Sequence, residues 1–132
     1  MYLLDTDTLS NLGKKRPSAA LLVRLAAETG ALYTSSITVG EMVHGAYKSD
    51  RPRYYLDKMR LAFGSLSGIL PYDETAAHHF GKQLAELERQ GTPPAPLDLQ
   101  LASIALANDL VVVTHNTEHF KRVKGLKVED WL

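Results

Sequence analysis

Residues 2–8, with the sequence YLLDTDT, decide the fold, because an apolar run at the start of the chain leads directly into acids and hydroxyls. A short, continuous apolar run is typical of a strand that is buried on both faces of a parallel sheet. Burial of the acid that follows such a strand is unfavourable unless the acid is paired or binds a cation. The chain therefore begins with a predicted buried strand, Tyr2–Leu4, and a candidate site residue, Asp5.

Downstream, β-favouring runs alternate with longer segments of helical composition. The further predicted strands are Ala31–Ser35, Ile69–Leu70 (a brief strand or a connector), Leu110–Val113 and a weak terminal strand over Leu126–Val128. The predicted helices are Ala19–Thr29, a helix opened by a capping box of Thr38 and Glu41, Pro52–Leu66, Asp73–Gln90, Leu97–Ala107 and a short turn or helix over Glu118–Val123. The proline-rich segment Thr92–Pro96 is predicted to be a stiff loop.

Strands separated by helices predict βαβ units, and hence a parallel sheet with helices on its faces. The length of 132 residues suits one domain, and the sequence shows neither an internal repeat nor a linker. We therefore predict a single α/β domain over residues 1–132, with a central, mostly parallel sheet flanked by helices.

The composition excludes several classes of site and location. There is no cysteine, which excludes a disulfide scaffold, a thiolate metal site and a cysteine nucleophile. No apolar run approaches the roughly 20 residues of a membrane span. An acid stands at the fifth position, so we expect neither a signal peptide nor a membrane partner, and we expect a cytoplasmic protein.

Polar residues at the predicted strand ends form the candidate site, because ligands of open α/β sheets bind beyond the carboxyl ends of the strands. These residues, together with the acid that follows the proline-rich loop, are Asp5, Asp7, Glu41, Asp98 and Asn116. Oxygen ligands without cysteine suit a hard cation such as Mg²⁺ or Mn²⁺, and clustered carboxylates repel one another without it. The pattern indicates metal-assisted hydrolysis of a phosphodiester.

The net charge of zero, from 15 basic and 15 acidic residues, argues against a polyanion ligand when it is taken alone. Four of the acids belong to the candidate site, which leaves 15 basic against 11 acidic residues elsewhere. A bound cation would offset the charge of the site itself, so a substrate that contains phosphate remains compatible with the sequence.

Two of the acids also have a purely structural interpretation. Glu41 fits a capping box with Thr38, and Asp98 fits the N-cap of the helix that follows it, because these residue types are preferred caps. Asp5 is harder to explain in this way, since it closes an apolar strand.

Four segments resemble the PIN-domain ribonucleases: LLDTDTLS at 3–10, Ser36-x-Thr38-x-x-Glu41, Asp98-x-x-x-Ala102 and Val113-Thr114-x-Asn116-x-x-x-Phe120. The ending, from VKGL at 123–126 to EDW at 129–131, is similar to VapC-type toxins in particular. Each motif is weak alone, but the ordered set spans essentially the whole chain.

The resemblance implies a Mg²⁺- or Mn²⁺-dependent endoribonuclease that acts on RNA, forms a homodimer and is inhibited by a VapB-type antitoxin. It implies that Asp5, Glu41 and Asp98 are the catalytic acids and metal ligands. Asn116 matches a fourth catalytic position that is often Asp. Because its amide is neutral, the binding of a second metal ion stays an open question. Asp7 falls where many relatives have Asn. The remaining matches are flanking hydroxyls that support the carboxylates, Thr6 and Thr114.

Three alternatives remain open. A PIN-like module with weak catalysis would bind RNA or antitoxin without turnover. The segment Asp5-Thr6-Asp7-Thr8 also fits the DxDxT motif of haloacid-dehalogenase-type phosphatases, but the sequence that follows Thr114 is too short to supply that family's later motifs. The pentapeptide His115–His119 matches the H-x-x-E-H zinc pattern, without the helical context or third ligand that such a site requires.

The region around residues 47–63 interleaves aromatic and basic side chains. In one interpretation the aromatic side chains pack in the core and the basic side chains lie in solvent. In the other, the region forms a groove that stacks RNA bases or docks an antitoxin. These residues are Tyr47, Lys48, Arg51, Arg53, Tyr54, Tyr55, Lys58, Arg60 and Phe63. An exposed apolar stripe on the helices of residues 52–90 is the predicted contribution to a dimer interface.

Overall fold

Five parallel strands form the centre of the protein in the computed structural model, which describes residues 1–92 and 94–132. The strands are β1 Tyr2–Leu4, β2 Leu32–Ser35, β3 Gly68–Leu70, β4 Val111–Val113 and β5 Val128–Glu129. The helices are α1 Thr6–Asn11, α2 Ala19–Ala27, α3 Ser36–Lys48, α4 Pro52–Phe63, α5 Glu74–Arg89, α6 Pro96–Ala107 and α7 Thr117–Lys121. Pro93, which belongs to the predicted stiff loop, lies outside the described residues.

The strand order is β3-β2-β1-β4-β5, and every pairing is parallel, which confirms the predicted parallel sheet. β1 is the middle strand, and its Tyr2 is in register with Leu32 on one side and Val111 on the other. This central position explains why the first apolar run of the chain is continuous, since both of its faces are covered. It also places Asp5 at the middle of the carboxyl edge of the sheet.

Alternate residues of β1 and β4 enter two hydrophobic cores, one on each face of the sheet. Leu3 and Val112 join a core that contains residues of α5, α6 and α7. Leu4 and Val113 join the opposite core, which contains residues of α1 and α2 together with Trp131. The sheet edge that carries the candidate site is therefore held rigidly from both sides.

The predicted capping box of Thr38 and Glu41 is wrong. α3 begins earlier, because the Ser35 hydroxyl accepts the N–H of Thr38 at 3.0 Å and so acts as the N-cap. Glu41 therefore lies in the second turn of α3, beyond the free backbone N–H groups of the helix start. Its carboxylate is left for other contacts.

The predicted N-cap role of Asp98 is also wrong. α6 begins at Pro96, whose fixed φ suits the first position of a helix, and its cap residue Ala95 makes no side-chain capping bond. Asp98 lies in the first turn instead. Among the residues that the structure describes, no helix has both the length and the apolar character needed to cross a membrane.

Candidate active site

Asp5 connects the sheet to α1 and is almost completely buried, with 5% of its surface exposed. Its carboxylate accepts the Thr8 N–H at 2.9 Å as the N-cap of α1. Burial raises the pKa of this carboxyl, an effect that the Thr114 hydroxyl and the Thr8 N–H partly oppose and the nearby Asp7 reinforces. The fold therefore holds Asp5 where its negative charge is disfavoured.

Asp7 joins the ends of β1 and β4. Its Oδ2 accepts the Asn116 side-chain amide at 2.8 Å, although the two residues are far apart in the sequence. The Asn116 backbone N–H donates to the Thr114 hydroxyl at 3.0 Å, and the same hydroxyl opposes the rise in the pKa of Asp5. Asp7 and Asn116 are both exposed, so this pair forms the solvent side of the site.

Asp98 reaches the same place from α6. Its pKa is raised chiefly by burial and further by the charge of Asp7, while His119 acts in the opposite direction. The His119 Nδ1 lies 3.7 Å from the Asp98 Oδ2. Because Asp7 raises the pKa of both Asp5 and Asp98, we define these three residues as the aspartate cluster.

Glu41 borders the aspartate cluster. Its Oε1 accepts the Thr6 hydroxyl at 2.7 Å, and Thr6 directly follows Asp5. The Thr6 hydroxyl thus contacts a site carboxylate. Glu41 and Thr6 also line a groove of about 530 Å³ between α1, α3 and α4.

The donor chemistry of the aspartate cluster fits a hard divalent cation, because its three side chains are carboxylates and the pKa of two of them, Asp5 and Asp98, is raised. Within residues 1–92 and 94–132, no three His, Asp or Glu side chains are grouped so as to hold an ion by themselves. The predicted ligands Asp5, Glu41 and Asp98 are therefore not assembled as a closed three-residue cage. A cation bound through one or two carboxylates, with water as its other ligands, is the mode that Mg²⁺ commonly uses.

The sequence predicts Asp7 as a residue of the candidate site, from its position just beyond the end of a strand, but not as one of the four catalytic residues. His119 is not predicted from the sequence. His119 faces Asp98, whereas His115 faces Asp130 at 3.1 Å. The two histidines thus face different acids, which argues against the H-x-x-E-H zinc site.

Comparison with known proteins identifies the family. The PIN domain model matches residues 2–126. The chain is 39% identical over 130 residues to the tRNA(fMet)-specific endonuclease VapC of Shigella flexneri, covering 98% of this chain and 97% of that protein. It is 35% identical over 131 residues to Ribonuclease VapC2 of Haemophilus influenzae, covering 99% and 98%. These matches favour a nuclease over the phosphatase that the DxDxT motif suggested.

Solved structures agree with this result. The DNA-bound VapBC structure from Salmonella typhimurium contains a chain with a TM-score of 0.91 and 36% identity, with 99% of this chain and 98% of that one covered. The structure of VapBC2 from Rickettsia felis bound to a promoter DNA fragment also gives a TM-score of 0.91, at 27% identity and with the same coverage. Both structures are complexes of the VapBC type.

Proposed function

The chain belongs to the PIN-domain family and is an endoribonuclease toxin of a type II toxin–antitoxin system, and we propose that its RNA hydrolysis requires Mg²⁺ or Mn²⁺ bound at the aspartate cluster. The observation that carries the metal requirement is the burial of Asp5 and Asp98 beside the charge of Asp7, which raises the pKa of both carboxyls. Among the ion pairs of the described residues, the cluster has His119 as a partner but neither Lys nor Arg. A divalent cation would supply the missing positive charge.

The proposed roles follow from position. Asp5, which is buried, and Asp98, which is partly buried, would hold the cation, and Asp7 would add a negative charge that acts on both. Asn116 orients the water or the phosphate, since its amide is fixed on Asp7 at the exposed side of the site. Glu41, held by Thr6, contributes through water from the edge of the groove. The cation, when bound, lowers the pKa of water and stabilises the leaving oxygen.

The neutral Asn116 is the specific observation that keeps a second candidate function in view, namely a PIN-like module that binds RNA or antitoxin with little turnover. An amide cannot contribute the charge of the acid that is often found at this position. Cleavage of RNA by the purified protein would reject this alternative directly.

The test is cleavage of total RNA and of purified tRNA with and without Mg²⁺ or Mn²⁺, by wild type, Asp98→Asn and Glu41→Gln. Neither residue caps a helix in the structure, so both variants should keep the fold. Metal-dependent cleavage by wild type that is lost in both folded variants supports the proposal. Equal cleavage by all three proteins, purified identically, would contradict it.

We also propose a VapB-type antitoxin as the partner, a homodimer as the assembly and the cytoplasm, where RNA is available, as the location. The solved relatives above are VapBC complexes. Leu61 on α4 and Ile69 on β3 are exposed apolar side chains of the region predicted to form the dimer contact. A monomeric mass by sedimentation at micromolar concentration would contradict the dimer.

A further inference from the structure

A second charged surface lies on the α4 side of the groove. Residues 14–16 and 51–60 together contain seven basic residues and one acid, in a chain whose net charge is zero. The two segments lie close together, because the Lys58 ammonium donates at 2.8 Å to the carbonyl of Gly13, which directly precedes the first segment. The positive charge that the overall composition conceals is thus concentrated in one place.

Tyr54 organises the cations of this surface. The Arg51 guanidinium lies 4.4 Å from the centre of the Tyr54 ring, and the Lys58 ammonium lies 4.8 Å from it, so both are within cation–π range. Tyr55 packs edge to face against Tyr54 at 5.1 Å. Both tyrosines are exposed, and α4 has no fully buried residue. We name Arg51, Tyr54, Tyr55 and Lys58 the cationic platform.

The charges of the platform are not neutralised within the protein. None of the ion pairs in residues 1–92 and 94–132 involves Arg51 or Lys58. A hydrogen bond from Lys58, with the positive charges of Lys58, Arg51 and Lys15, lowers the pKa of Tyr54. Because no carboxylate pairs with Arg51 or Lys58 among these ion pairs, both cations can attract an external anion.

Arg24 shows what a purely structural cation on aromatic rings looks like in the same chain. It lies 4.5 Å from the ring centre of Trp131 and pairs with Glu129 at 3.1 Å and with Glu28 at 3.6 Å. Two carboxylates thus satisfy it, and it fastens the end of the chain to α2. The cationic platform has the same stacking but lacks such acids.

Part of the platform lines the same groove as the proposed catalytic residue Glu41. Tyr55 and Lys58 line the same groove of about 530 Å³ as Thr6 and Glu41. A strand that passes Glu41, at the border of the aspartate cluster, can therefore continue through this groove along α4. Exposed rings beside cations that have no carboxylate partner are a combination that binds single-stranded nucleic acid, because every base offers a face for stacking and every nucleotide carries a phosphate.

We propose that the cationic platform binds single-stranded RNA on one side of the scissile bond, with Arg51 and Lys58 on phosphates and Tyr55 against a base. The inference rests on the proposed ribonuclease function. The platform residues position the substrate and take no part in bond cleavage. Their loss should weaken binding and raise KM, while kcat stays near the wild-type value.

The binding test uses Asp98→Asn protein, so that the RNA is not cut, and a fluorescein-labelled single-stranded RNA of mixed sequence, about 12 nucleotides long. The platform variant is Arg51→Gln/Lys58→Gln. The matched control, Lys82→Gln/Lys127→Gln, removes two exposed lysines on other surfaces. Affinity is measured over a range of salt concentrations.

We expect the platform variant to bind about tenfold or more weakly at low salt and the slope of log K against log salt to fall by about 1.4, or about 0.7 per lost phosphate contact. The control should match its parent. Arg51→Lys/Lys58→Arg should restore binding, which separates loss of charge from loss of fold. Equal affinity and slope in the platform variant and the control would overturn the proposal.

Antitoxin binding by the platform variant and RNA cleavage by wild type give two further outcomes. Unchanged RNA binding together with weakened binding of the cognate antitoxin would overturn the proposal and assign the platform to a protein partner. Wild type that binds the RNA through the platform but never cleaves RNA with Mg²⁺ or Mn²⁺ would support this inference while the proposed function fails.

Discussion

Two aspartates of this protein cap helices with the same geometry in very different surroundings. Asp5 at the start of α1 and Asp73 at the start of α5 each accept the backbone N–H of the third residue on, at 2.9 Å. Asp73 is exposed, whereas Asp5 is buried and has Asp7 beside it. Capping alone therefore does not require the burial and the like charge that Asp5 experiences.

The different surroundings of Asp73 and Asp5 indicate that Asp5 has a role in addition to helix capping. At α5 the carboxylate satisfies a helix end at the surface, where water stabilises its charge. At α1 the same bond is made in a place that raises the pKa of the acid, next to the charges of the aspartate cluster. A site that disfavours its own charges in this way is typical of function rather than stability.

The largest expected difference between the caps Asp5 and Asp73 is in the rate of RNA cleavage. Asn serves as an N-cap as well as Asp does, so Asp5→Asn and Asp73→Asn should both fold. Asp5→Asn should lower metal-dependent RNA cleavage by about 10²- to 10⁴-fold, and Asp73→Asn should leave it unchanged. Initial rates on one labelled RNA measure both variants. A similar rate in both would show that Asp5 is only a cap.

A smaller effect on kcat is expected at the edge of the aspartate cluster, where the Thr6 hydroxyl donates a hydrogen bond to Glu41 and fixes its position. Thr6→Val removes this bond with little change in shape and should lower kcat by about 10- to 100-fold. Thr6→Ser keeps the hydroxyl and should retain most of the activity. If Thr6→Val has the wild-type kcat, Glu41 does not depend on Thr6 for its position.

The smallest effect concerns stability. In the absence of divalent cations at pH 7, Asp5→Asn should raise the free energy of unfolding by about 0.5–2 kcal/mol, because it removes a desolvated charge and keeps the cap. Asp73→Asn should give no such rise. Urea unfolding followed by circular dichroism measures both variants. A less stable Asp5→Asn would contradict a destabilising charge at this position.

The gain in stability should depend on pH in a defined direction. The pKa of Asp5 is raised in the folded protein above its usual 3.8, so the folded state holds the proton more tightly than the unfolded state does. The contribution of this group to stability is complete below about pH 3.8 and is lost as the pH rises through the folded-state pKa. The advantage of Asp5→Asn should therefore disappear in acid.

The sequence predicts the sheet and the residues at its strand ends well, because those depend on local patterns. A continuous apolar run specifies β1, and parallel pairing of β1 with β4 then brings Asp5 and Asp7 near Asn116. The predicted strand Leu126–Val128 is displaced, since β5 is Val128–Glu129. Short terminal strands depend on pairing more than on their own composition.

The contacts of Glu41 and Asp98 could not be predicted from sequence patterns, because they depend on where two helices begin. Ser35 and Thr38 are both good caps, and only the pairing of β2 places Ser35 at the helix start. Pro96 begins α6 ahead of Asp98, which frees that carboxylate to face His119. The junction of residues 14–16 with α4 has no local signal, since it joins segments that are distant in the sequence.

A cation site at the aspartate cluster is tested by the effect of Mn²⁺ on the thermal unfolding of wild type, Asp5→Asn and Asp73→Asn, at neutral pH and one ionic strength. A cation that binds the folded state stabilises it by about 2.7 kcal/mol when its concentration is about 100 times the dissociation constant. We predict that the Tm of wild type and Asp73→Asn rises with Mn²⁺ and that the Tm of Asp5→Asn does not. An equal rise in all three proteins, or no rise in wild type, would contradict a cation site at the aspartate cluster.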